Sequence, residues 1–158
     1  MDKKELAKKI KETEEQLASL RAELEKPEYP TLQSSKAGDK LENGCIVVHK
    51  FEDVRMALIS APDTTEDYFT WNKRFPDVFE ALERKGFNPS QWFIPNVEQL
   101  KLAYNNCKQH FPASFYWSST EASSSSTNAC GVGFLTGSQH TCCKPSMYCV
   151  RAFSLVSY

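Results

Sequence analysis

Six cysteines and three histidines are the residues of this chain with the readiest chemistry, and their spacing limits what that chemistry could be. Cys45, Cys107, Cys130, Cys142, Cys143 and Cys149 form no C-x-x-C pair and match no disulfide or zinc framework. The run "HTCC" places His140 near Cys142 and Cys143, a fragment of a soft-metal site, but four ligands at workable spacing are not evident. A reactive thiol needs a neighbour that favours the thiolate, and only His140 and Lys144 lie close in sequence. The expectation is therefore free thiols, no catalytic residue, no metal and no cofactor. Glu66 and Asp67 read as a solvated face or helix start rather than an acid–base dyad. His49 and His110 read as a structural strand-end and loop histidine, and Trp71, Trp92 and Trp117 as core.

Charge is distributed unevenly. A quarter of the chain is Asp, Glu, Lys or Arg, yet residues 122–149 carry one charge, Lys144, among Ser, Thr, Cys, Gly and Ala. This stretch still has a pattern. Val132 and Phe134 alternate with Gly131, Gly133 and Leu135, Gly137 marks a turn, and "MYCVRAFSLV" alternates again with Tyr148, Val150, Ala152 and Ser154 on one face. The small residues are expected at the outward and loop positions of this strand–turn–strand frame. "SSSS" (123–126) lies between two strand candidates and reads as an exposed loop.

The elements that must position these residues follow from composition and period. A hydrophobic fraction of 41% and an aromatic fraction of 12% allow one domain with a real core plus an appendage. The net charge of −1 gives no field favouring nucleic acid or anionic lipid. The longest apolar runs, "CIVV" and "MALI", are too short to span a membrane, and "MDKKELAKKIKETEEQ" lacks the apolar region of a secretory signal. Synthesis in a cytoplasm, and residence there or on a virion tail, is the resulting expectation.

Residues 1–26 read as a helical coiled-coil segment. Leu6, Ile10, Thr13, Leu17, Leu20 and Leu24 recur at spacings of 4, 3, 4, 3 and 4, with Ile10, Leu17 and Leu24 at position a and Leu6, Thr13 and Leu20 at d. Lys9 at g and Glu14 at e′ pair favourably between parallel helices, so a homo-oligomer through residues 3–26 is expected. Thr13 leaves dimer and trimer open, and one helix folded back on its own domain is the alternative. Pro27 and Pro30 end the helix in a linker over 27–36. In the domain over 37–158, "CIVVHKF" (45–51) and "RMALISAP" (55–62) read as strands joined by a short acidic turn. A helix around 77–85 buries Val78, Phe79 and Leu82, with Gly86 as its C-cap candidate. Asn96 is an N-cap candidate for a helix near 97–107 with Val97, Leu100, Ala103 and Tyr104 inward. "FYWSS" reads as a buried strand.

"AGDKLENGCIVV", "MALISAP", "WFIPNVEQLKLAY", "FYWSSTE" and "YCVRAF", in this order, resemble a bacterial and phage family of C-type-lectin-like domains with a Tyr-Trp-Ser-Ser-Thr-Glu signature and a closing Val-Arg-Ala strand. The likeness covers roughly 37–155. It implies an α+β fold, a C-type-lectin-like domain with small antiparallel sheets and two helices, preceded by the coiled-coil helix. The region from about 115 to 151 further resembles the variable region of proteins diversified by a retroelement, in which adenines of a template RNA are miscopied. Template AAC or AAT codons can then become Ala, Cys, Gly, Ser, Thr, Pro, His or Leu, but never Lys, Glu, Gln, Met or Trp. Within 122–149 only Gln139, Lys144 and Met147 are unreachable.

That likeness implies a scaffold of Val132, Phe134, Gly137, Gln139, Lys144, Tyr148, Val150 and Arg151. It implies a hypervariable ligand-binding set of Ala122, Ser124, Ser126, Cys130, Gly131, Gly133, Leu135, Thr136, Ser138, His140, Thr141, Cys142, Cys143, Pro145, Ser146 and Cys149. The function implied is receptor binding, with a protein or another cell-surface molecule as ligand and no catalysis. In this copy the surface would be small and neutral, without Tyr, Trp or Arg anchors. The same fold family includes formylglycine-generating enzymes, whose cysteine-and-copper site motifs are not visible here. "IPN" also lacks the leading carboxylate or amide of calcium-dependent sugar-binding loops. The alternative is a fixed structural or adhesion knob of a phage tail or cell surface.

Overall fold

The computed structural model describes residues 2–25 and 29–158. The expected helix stop at Pro27 lies outside them. Helix α1 (Lys3–Leu24) is followed by strands β1 (Ile46–Phe51) and β2 (Met56–Ser60), β3 (Asp67–Thr70), helix α2 (Pro76–Arg84) and helix α3 (Val97–Cys107). Strands β4 (Phe115–Glu121), β5 (Asn128–Gly133), β6 (Gln139–Cys143), β7 (Met147–Val150) and β8 (Phe153–Ser157) complete the chain. The fold is mixed α+β. No helix of the described residues is long and apolar enough to cross a membrane.

Local chemistry accounts for the helix ends. Asn96 accepts from the Gln99 amide while the Gln99 side chain accepts from the Asn96 amide, a reciprocal capping box that starts α3. Gly86, at φ +86°, lets the Phe87 amide reach the Leu82 carbonyl and its own amide reach the Glu83 carbonyl, closing α2 in a Schellman turn. Val78 and Leu82 of α2, and Val97, Leu100, Ala103 and Cys107 of α3, are buried at helical spacing.

Two sheets meet around two cores. The smaller has the order β1-β2-β8, antiparallel, and the larger the order β3-β7-β4-β5-β6. In the larger sheet β4 and β7 meet in parallel, Tyr116 opposite Cys149, which corrects the expectation of purely antiparallel sheets. Strand β4 divides the cores. Tyr116 joins Ile46, Val48, Leu58, Leu100, Val132 and Phe153 on one side, while Trp117 joins Trp71, Phe75, Leu82, Ala129 and Val150 on the other. Trp71, Trp92 and Trp117 are all buried.

Two further features depart from expectation. Residues 147–157 are not one alternating strand: β7 belongs to the larger sheet and β8 to the smaller, with Arg151 and Ala152 buried at the crossing. Glu66 is not a solvated carboxylate. Its Oε2 accepts from the Tyr116 hydroxyl at 2.8 Å and from Arg151 Nε at 2.7 Å, and Arg151 Nη2 lies 2.6 Å away. Arg151 is fully buried, donates Nη1 to the His110 carbonyl and stacks on Phe111, so a charge inside the domain is neutralised by a partner at the sheet edge. Asp67, in contrast, is exposed. His110 ends the short 3-10 helix Lys108–His110 and contacts the Gly38 carbonyl through Nε2, and His49 lies within β1 against Phe51.

Candidate binding face

The hairpin β5–β6 carries most of the neutral stretch, and its register sets which residues share a face. Gly131 pairs with His140, Ala129 with Cys142, Cys130 with Thr141 and Val132 with Gln139. On the adjoining pair, Phe115 faces Gly133 and Trp117 faces Gly131. One face of the sheet, with Tyr116, Cys130 and Val132, belongs to the core that holds α3. The other carries Phe115, Trp117, Gly131, Gly133, His140, Cys142 and Tyr148. Buried Trp117 forms its floor, and it opens toward β6, where His140 is exposed and Phe115, Tyr148 and Cys142 are half-buried.

Aromatic packing fixes this face. The Phe115 ring stands 4.6 Å from Tyr148 and 5.6 Å from Trp117, centroid to centroid, and 6.5 Å from the His140 ring. Trp117 and Tyr148 are 5.1 Å apart. Gly131 makes the arrangement possible. A Cβ built there would lie 2.5 Å from the Phe115 ring and would fall on the Tyr116 carbonyl. Gly133, on the same strand, has only the Ser138 carbonyl at 3.9 Å from such an atom.

The turns at the two ends of the hairpin complete the surface. At one end Gly137, with φ +77°, closes the 134–138 turn by donating to the Gly133 carbonyl, and the Tyr104 ring lies within 2.5 Å of where its Cβ would be. Leu135 is 77% exposed there, beside exposed Thr136 and Ser138. At the other end Lys144 holds the loop 122–127 in place. Its ammonium donates to the Ser126 carbonyl at 2.6 Å, pairs with Glu121 at 3.0 Å and sits 4.6 Å from the Trp71 ring centroid. The one charge of the stretch is thus engaged within the fold.

The sixteen expected positions divide. Ser124, Ser126, Leu135, Thr136, Ser138, His140, Thr141, Cys143 and Pro145 are exposed, and Gly133, Cys142 and Ser146 half-buried. Ala122, Cys130, Gly131 and Cys149 are buried, which corrects their placement at outward positions. Cys130 and Cys149 point into the α3 core, Gly131 lies under Phe115, and Ala122 packs where its amide meets the Asn128 carbonyl. At Gly131 small size reflects lack of space. Of the expected scaffold, Val132, Phe134, Val150 and Arg151 are buried, whereas Gln139 is exposed.

All six thiols are unpaired. Burial pushes Cys45 and Cys107 up to about 12 and raises Cys149 as well. His140 and Cys142 share a face of β6 while Cys143 points to the other, so the "HTCC" run does not converge on one point. No group of three or more His, Cys, Asp or Glu suited to a metal ion occurs among the described residues. Two hollows, of about 480 Å³ beside Glu66, His110 and Arg151 and about 330 Å³ beside Tyr68, Phe75 and Met147, are lined by none of the sixteen positions.

Phe115 and Tyr148 escaped the sequence reading as contact residues. Their aromatic type suggested core, and only the register across Gly131 brings them to an open face. No protein-family model matches the chain, and no curated protein matches it.

Proposed function

We propose that the chain is a ligand-display protein, a C-type-lectin-like domain whose neutral hairpin face recognises a protein or another cell-surface molecule without catalysis. The observation that carries this reading is the independence of the exposed set from the cores. Leu135, Thr136, Ser138, His140, Thr141 and Cys143 lie on one edge strand and its adjoining turn, and neither core includes them. Exchanging such residues leaves core packing intact, so their identities are free to follow a ligand. Retroelement diversification, with one fold presenting many fillings, is the use that fits this freedom and the codon pattern together.

The chemistry of this copy suits an uncharged partner surface. Lys144 is engaged by Glu121 and Ser126, so the face offers Ser and Thr hydroxyls, the His140 ring and the apolar Leu135 side chain. Phe115 and Tyr148 supply from the frame the aromatic anchors that the exchangeable set lacks.

Sequencing the 3′ end of the gene across a natural population tests the reading. Substitutions traceable to template adenines should concentrate at the twelve exposed or half-buried positions counted above. Gly131 should stay fixed, and Ala122, Cys130 and Cys149 should vary only among small residues. An invariant 122–149 overturns the reading and leaves a fixed adhesion knob.

A further inference from the structure

Helix α1 leaves an apolar seam without a cover. None of its residues is buried, and Leu6, Ile10, Leu17 and Leu20 are each about half exposed, at 49%, 51%, 47% and 58%. Its own supports are few. Asp2 at the N-cap makes no side-chain cap bond, and Lys8 and Glu12 form one exposed pair at 3.9 Å. A helix of 22 residues stabilised only in this way is marginal in water, because most helical stability in proteins comes from packing of the apolar face.

We infer that the cover is a second copy of α1, lying parallel and in register. Three observations select it. Ile10, Leu17 and Leu24 recur every seven residues, as do Leu6, Thr13 and Leu20, the repeat that keeps one narrow stripe facing a like helix over several turns. A hollow of about 260 Å³ on the bare helix is lined by Lys9, Ile10, Thr13, Glu14 and Leu17. Ile10, Thr13, Glu14 and Leu17 occupy a, d, e and a, the four positions that form the hole for a d-position side chain of a parallel partner. The Thr13 hydroxyl donates to the Lys9 carbonyl at 2.9 Å, so its methyl can enter the seam with no polar group left unsatisfied.

Charge favours the parallel direction through the like pairs it avoids. In the parallel arrangement Lys9 of each copy meets Glu14 of the other and Gln16 meets Arg21, so no like charges face one another among these positions. An antiparallel pair that keeps the seam in layers also gains Lys9 against Glu23, but it sets Glu14 against Glu14 of the second copy. Each assembly then presents at least two hairpin faces, and linked faces gain avidity without any new contact. The association itself does not depend on what the hairpin face binds.

Sedimentation equilibrium of the full chain without ligand tests it. The expected mass is at least twice the 18.0 kDa of one chain, falling toward one chain on dilution. Leu17→Lys should leave monomer throughout; Leu17 is exposed in the single chain, so the domain stays folded. Lys9→Glu should weaken association several-fold, and Lys9→Glu with Glu14→Lys should restore it, which only the parallel register allows. A wild-type chain that stays monomeric overturns the association. A double exchange no tighter than Lys9→Glu alone overturns the parallel register.

Discussion

The Phe115 ring lies where any side chain at residue 131 would have to be. This separates two glycines that look alike in sequence. Gly131 and Gly133 alternate with Val132 in one strand, yet one is closed over by Phe115 and the Tyr116 carbonyl and the other meets nothing nearer than 3.9 Å. Gly131→Ser must displace the ring or bend the β4–β5 ladder, and overpacking of this kind costs about 1–3 kcal/mol. Gly133→Ser should change stability by less than about 0.5 kcal/mol, as surface substitutions usually do. Urea unfolding of both variants checks the pair, and equal stability would show that the ring moves aside freely. The same reasoning sets limits at residue level: of the sixteen positions proposed to vary, four are buried against packed atoms. Glu66 teaches the converse lesson. An acidic pair in a loop reads as solvated, and only the fold brings buried Arg151 and the Tyr116 hydroxyl to Glu66.

Among the elements, α3 rests most clearly on local sequence. Asn96 and Gln99 satisfy each other's backbone amides at 2.9 Å, so Asn96→Ala leaves the Gln99 amide without its acceptor while the backbone amide of residue 96 keeps its bond to Gln99. A loss of about 1 kcal/mol is expected, read as a midpoint roughly 2–4 °C lower in thermal unfolding for a chain of this size. Asn96→Ser, which keeps a cap acceptor, should recover most of it, and an unchanged midpoint in the alanine variant would mean that packing alone sets the start of the helix. Elements with such signals were legible in the sequence: α1 from its seam, α2 from Val78, Leu82 and Gly86, α3 from its cap, β1 and β2 from their apolar runs. Elements whose residues carry no pattern were not. Strand β6 reads Gln-His-Thr-Cys-Cys, mostly exposed, and pairing with β5 alone makes it a strand. Edge strand β3 is similarly exposed and was also missed. The break between β7 and β8 is invisible to alternation, because Arg151 and Ala152 continue a buried run while the chain changes sheets. The exposed turns of the candidate face were legible from composition. Its buried members were not, since small size looks the same whether it comes from free choice or from lack of room.

At the scale of the molecule, β4 joins two cores, and each core contains a buried thiol beyond the ordinary range. Cys45 lies with Trp71, Trp117 and Val150, and Cys107 with Leu100, Tyr116 and Phe153. Burial raises both from 9.0 to about 12, the Asn43 hydrogen bond to Cys45 and the Arg151 charge near Cys107 offsetting only part of it. The sign of the stability effect follows. Below pH 9 both thiols are protonated in the folded and the unfolded chain, and their contribution is fully present. Between pH 9 and 12 the unfolded chain releases these protons while the folded chain retains them, so alkali favours unfolding. Each thiol contributes a slope of roughly 1.4 kcal/mol per pH unit across that window. Unfolding free energy measured in urea from pH 8 to 11 should therefore fall more steeply in the native chain than in Cys45→Ala or Cys107→Ala. The double substitution should be shallowest, with the remaining fall including the Tyr116 hydroxyl, which burial and Glu66 also push upward. Because the two thiols occupy different cores, equal relief from either substitution means that the cores unfold as one unit through β4. Relief from one alone means that the core holding that thiol opens first, and four parallel slopes would remove both thiols from the account of alkaline stability.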